Sequence, residues 1–176
     1  MSFVVHSYGY LYHASRWSVS RSDHPFPDSK KFEKISAVVL LGFTVEAFLN
    51  HVGALKIPDW ETNERGFTAK KRLKIVLDAA SISLNEGSRP WSTLKELREI
   101  RDMFAHARSE TIDQYSLGHF ITDQMPADFT EWWARLRDFD LDQAFDDVKG
   151  LVESVWNGLC MAGPSPLELV GSGNGT

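Results

Sequence analysis

At 176 residues, 43% apolar and 24% charged, the chain has the make-up of one soluble globular domain, or a domain with an extension, large enough to bury a core without metal or disulfides. Its one cysteine, Cys160, excludes an intramolecular disulfide and fits a reducing, cytoplasmic setting. A net charge of −5 argues against indiscriminate nucleic-acid binding, but the charge is uneven: residues 65–108 hold ten Lys/Arg and five acids, so that window is +5 and the remainder −10.

Residues 1–6 lack a basic stretch followed by an apolar run, and no uninterrupted apolar stretch has the length of a bilayer, so neither export nor membrane insertion is expected. A first helix is predicted over residues 2–20, where Val4, Tyr8, Leu11, Ser15 and Val19 recur at helical spacing; His6 and His13 share one of its faces and read as packing residues rather than ligands. Prolines 25 and 27 break the chain. A second helix, capped by Asp28 or Ser29, should run to about residue 55, and apolar residues nearly encircle it, which makes it the central helix. Glu46 is out of place in that run. It must find a cation or donor on a neighbouring helix, lie at a subunit seam, or emerge with Asn50 at a solvated edge.

Residues 56–67 read as a loop, after which Thr68 caps a third helix to about residue 80, with Leu73, Val76, Leu77 and Ala80 as its apolar stripe. Lys70, Lys71, Arg72 and Lys74, taken alone, read as its solvated face. Residues 85–90 form a turn, and Ser92 or Thr93 with Glu96 suggests a capping box opening a fourth helix. Residues 109–127 are expected to be irregular, with Tyr115, Phe120 and Ile121 packed down. From Asp128 one or two helices follow, with an Asp-rich interruption at 138–142, and the tail from residue 163 is linker-like. With no strand alternation, the fold class is all-α: a bundle of four to six helices, divided as residues 1–27 (first helix and break), 28–162 (helical domain) and 163–176 (flexible tail).

The fourth helix carries the densest chemistry, Arg98-Glu99-Ile100-Arg101-Asp102-Met103-Phe104-Ala105-His106. At about 100° per residue Leu94, Leu97, Ile100, Phe104 and Ala107 make a buried face, and Arg98, Asp102 and His106 a polar stripe, with Arg101 at the border between them. Asp102, one turn before His106, is placed to fix the tautomer of its ring and leave the other nitrogen for a substrate. An orienting acid, a titratable imidazole and arginines that grip phosphate oxygens suffice for cleavage of RNA without metal, because the 2′-hydroxyl supplies the nucleophile. The same residues also make an ordinary salt-bridged helix surface.

The hexad Arg101 to His106 resembles the signature of the HEPN superfamily (higher eukaryotes and prokaryotes nucleotide-binding): an arginine, commonly followed by Asn, Asp or His, then four to six residues and a histidine, on a helix of an all-α bundle. The preceding apolar helix with Val45-Glu46-Ala47-Phe48-Leu49-Asn50 is similar to the Glu-bearing helix of many members, and the resemblance covers about residues 28–160. It implies an up-and-down helical core and a metal-independent endoribonuclease, often the toxin of a toxin–antitoxin or antiphage system with a neutralising partner, or an inactive homologue. It also implies a homodimer in which two motif helices build one cleft. Arg101 would stabilise the phosphate, His106 act as general base or acid and Asp102 position them, with Glu46, Arg98 and Asn50 in support and Glu46 pairing with Arg101 or Arg98.

No cofactor or metal is expected. Glu-x-x-His pairs, His-Glu-x-x-His, a phosphate-binding glycine loop and Cys/His zinc spacing are absent, as is a nucleophile elbow around Cys160 or any serine. The six tryptophans read as core and interface rather than base-stacking platforms. Two functions remain: a HEPN-type ribonuclease, and a non-catalytic helical dimerisation or interaction protein that keeps the motif as a structural network.

Overall fold

A computed structural model describes residues 7–20, 29–83, 85, 87–106, 130–163, 165 and 167. In chain order these form α1 (Ser7–Ser20), α2 (Ser29–Lys56), the single-turn α3 (Trp60–Asn63) leading into a 3-10 turn (Glu64–Gly66), α4 (Ala69–Ala79), α5 (Trp91–Ala105), α6 (Glu131–Asp138) and α7 (Leu141–Gly158). No strand occurs among the described residues, and the fold is all-α. The helix count there exceeds the expected four to six by the short α3. The expectations for residues 1–6, 21–28, 107–127 and 168–176 lie outside the described residues.

The 28-residue α2 is the axis of the bundle, flanked by α1, α4, α5 and α7. By length and composition alone it is long and apolar enough to cross a membrane, unlike the sequence-based expectation; in this fold Ala37, Val38, Leu41, Phe48 and Val52 of the same helix are fully buried against its neighbours. Helix α1 packs Tyr8 and Tyr12 into the core, Tyr8 edge-on to Phe48, and Ser15 Oγ donates to the Ala37 carbonyl at 2.6 Å. The first helix is therefore part of the hydrophobic core rather than an appendage to it.

Local chemistry sets the boundaries. Thr68, Thr130 and Asp140 cap α4, α6 and α7, their side-chain oxygens accepting from the N–H groups of Lys71, Trp133 and Gln143. The Asp-rich interruption splits the last segment at Phe139 and Asp140, whose backbone is extended.

Three expectations are corrected. No capping box opens α5: the helix starts at Trp91 after Pro90, and Ser92 N–H is taken by the Ser88 carbonyl at 3.1 Å, so Ser92 and Thr93 already lie inside the first turn. Residues 56–67 are not simply a loop. Trp60, 2% exposed, lies so close over Gly53 that a Cβ there would clash with its ring, and its Nε1–H donates to Glu64 Oε2, which winds the segment into helical turns. The start of the tail is not free, because Ser165 and Leu167 are buried, the Leu167 carbonyl lies 3.2 Å from His13 Nε2 and the Gly163 carbonyl accepts from Trp156 Nε1–H.

Candidate functional site

The polar strip of α2 meets α4 and α5 around Glu46. Its Oε2 accepts from Arg101 Nη2 at 3.0 Å and its Oε1 from Arg72 Nη1 at 3.0 Å, while Arg72 Nη2 also donates to the Glu64 carbonyl at 3.1 Å. A carboxylate in an apolar helix thus joins three elements through charge-assisted hydrogen bonds while its side chain stays 37% exposed. Arg101 continues the chain of charge to Asp102, whose Oδ1 is 3.1 Å from Nη1. Its stem packs on Gly42, where a Cβ would approach Arg101 Cγ to 3.0 Å, and its guanidinium carbon stands 5.3 Å from the ring centroid of half-exposed Phe43. The Arg101 side chain is 14% exposed.

His106 lies in a different environment. It is the C-cap of α5, with φ −117° and ψ 29°; its N–H still reaches the Asp102 carbonyl, but its side chain is exposed. The proposed orientation of His106 by Asp102 is corrected: the carboxylate turns to the adjacent Arg101 guanidinium, and His106 has already left the helical geometry that an i, i+4 contact needs. Among the described residues the imidazole makes no side-chain hydrogen bond or ion pair. Arg101, Asp102 and Glu46 are brought together, and the His106 side chain is not joined to them by any hydrogen bond or ion pair among the described residues.

Of the supporting residues, Arg98 does not pair with Glu46. It makes no hydrogen bond or ion pair among the described residues, and its Nε is buried without a partner. Asn50 stays on the strip of α2, its Oδ1 likewise buried without a hydrogen bond. Arg72, read from the sequence as part of a solvated face, is the residue that was missed. Spacing could have found it: Arg72 falls four residues before Val76, beside the stripe that packs inward, where a largely covered cation on α4 can reach the carboxylate of α2.

Between α2, α4 and α5 these residues surround a cavity of about 270 Å³. Lys70, Arg72, Lys95, Arg98 and Arg101 face it against the single carboxylate of Glu46, above an apolar floor that includes Leu49, Leu73, Leu94 and Leu97. Two further clamps hold α5 in place. Arg89 grips Asp147 of α7 with two bonds of 3.0 and 2.9 Å, and Arg135 of α6 donates to Glu99 at 2.8 Å. The Arg135 hydrogen bond holds the Glu99 carboxyl below its ordinary value. Among the described residues no group of three or more His, Cys, Asp or Glu is arranged to hold a metal ion. No family model, curated protein or solved structure matches the chain.

Proposed function

We propose that the chain is a metal-independent endoribonuclease of the HEPN type, working in the cytoplasm as a homodimer. One observation carries the reading: α5 presents a guanidinium at Arg101 and, five residues on, an exposed imidazole at His106 with no side-chain hydrogen bond among the described residues. His106 takes the proton of an RNA 2′-hydroxyl or delivers one to the leaving 5′-oxygen, and Arg101 offsets the charge that develops on the phosphorane. Of its five N–H donors Arg101 commits one to Glu46 and one to Asp102, so others remain for phosphate oxygens. Asp102 positions the arginine rather than the histidine. A second copy of α5 completes the cleft, and a neutralising antitoxin is the kind of protein partner this activity calls for.

The test is cleavage of a mixed RNA substrate in excess EDTA by the full chain. Wild type should cleave, and His106→Ala should lose at least about a hundredfold in rate; undiminished cleavage by that variant sinks the proposal. A second reading, a non-catalytic helical dimerisation or interaction protein, is favoured by the way Glu46, Asp102 and Phe43 enclose Arg101. It predicts no RNA cleavage by wild type and loss of the dimer or of stability in Arg101→Ala.

A further inference from the structure

The cavity between α2, α4 and α5 has a use that neither reading absorbs. Its ionic groups do not cancel. Glu46 and Asp102 together offset Arg72 and Arg101, to which they are bonded at 3.0 to 3.1 Å, which leaves cationic groups of α5 that face the same space. Arg98 is the clearest of these: it lines the cavity, no carboxylate lies within ion-pair distance among the described residues, and its Nε is buried without an acceptor. Lys95, one turn earlier on the same face, reaches Glu99 only at 3.9 Å. An anionic group in the cavity supplies the charged partner that the Arg98 guanidinium lacks among the described residues. The leucine side chains beneath are suited to an apolar body rather than to a bare ion.

We propose that this cavity binds a small amphiphilic anion, a carboxylate or phosphate monoester whose head is held by Arg98 with Lys95 and whose apolar body rests on Leu49, Leu73, Leu94 and Leu97. The fixed Glu46 pairings serve the same end, since they hold Arg72 and Arg101 along the wall and keep the Glu46 carboxylate from claiming Arg98. The site shares the Arg101 wall with the ribonuclease reading but not its imidazole, because His106 does not line it.

Titration of the isotope-labelled full chain, followed through the methyl resonances of the four leucines, tests the proposal. Octanoate and phenyl phosphate each carry one head group on an apolar body; 1-octanol and inorganic phosphate carry only one half of the chemistry. Saturable shifts of those methyls with octanoate or phenyl phosphate, absent with the two half-ligands at equal concentration, are expected. Arg98→Gln should weaken binding about tenfold or more, with the rest of the spectrum unchanged. The proposal is overturned if neither amphiphile shifts the methyls, if 1-octanol binds as well as octanoate, or if Arg98→Gln binds undiminished. Lys95→Gln, at a largely exposed position that leaves folding intact, provides a second arm: it should weaken the head-group contact several-fold, and undiminished binding there counts against the proposal.

Discussion

Arg101 and His106 stand five residues apart on one helix and belong to different kinds of structure. Arg101 is enclosed: two carboxylates bond it, Phe43 stacks beneath it, and Gly42 makes room for its stem. His106 caps the helix at the surface and makes no side-chain contact of that kind among the described residues. A motif that looks uniform in sequence therefore combines a residue that the fold needs with one that it does not. The comparison is broken most directly at the arginine. Arg101→Ala leaves Glu46 with Arg72 alone and removes the packing on Gly42, and should destabilise the chain by about 2 kcal/mol, the scale of a partly buried carboxylate losing one of two charged partners. Thermal unfolding should show this as a fall in Tm of roughly 4–8 °C. An unchanged Tm would mean that the Glu46 network does not hold α5 to α2.

A smaller effect comes from the other side of α5, where Glu99 meets Arg135. The hydrogen bond from Arg135 depresses the Glu99 pKa in the folded chain, so the pair adds stability at pH values above the ordinary carboxylate range, and that stability is lost as pH falls through the lowered folded value. Both side chains are about a third exposed, which limits the contribution to below about 1 kcal/mol. Glu99→Gln should lower Tm slightly at neutral pH and converge on wild type in acid. A constant difference between the two across that range would show that the contact acts through packing rather than charge.

The contrast also marks what could be read without coordinates. Thr68 as a cap, the apolar circumference of α2, the break near residue 140 and the burial of Leu94, Leu97 and Ile100 on α5 follow from local rules, and the fold carries all four. That Glu46 in an apolar run would meet a cation or emerge at a solvated edge was legible, and it does both, bonded yet 37% exposed. Of its partners only Arg101 was foreseen, by resemblance and alongside Arg98, while Arg72 was not. Arg72 and Arg101 compete for it with Arg98, and only the relative placement of α4 and α5 decides which of the three reach it. The Asp102 contact failed for a related reason: spacing assumes that a helix continues, and α5 ends at the very residue the contact required. Trp60 was hidden likewise, since its burial depends on Gly53 from a helix that precedes it.

The smallest expected change in stability carries the most functional information. His106 is exposed and holds no side-chain partner among the described residues, so His106→Ala should leave Tm within the range that about 0.5 kcal/mol allows. If the imidazole serves chemistry, that same silent substitution must abolish RNA cleavage, which separates it from Arg101→Ala, where loss of activity and loss of structure arrive together. Thermal unfolding and cleavage measured on one preparation of each variant therefore distinguish the two readings: activity lost at constant Tm belongs to a catalytic histidine. A fall in Tm of several degrees on removing His106 would instead tie the residue into an interface, such as one with a second copy of the chain, and would take away the observation on which the ribonuclease reading rests.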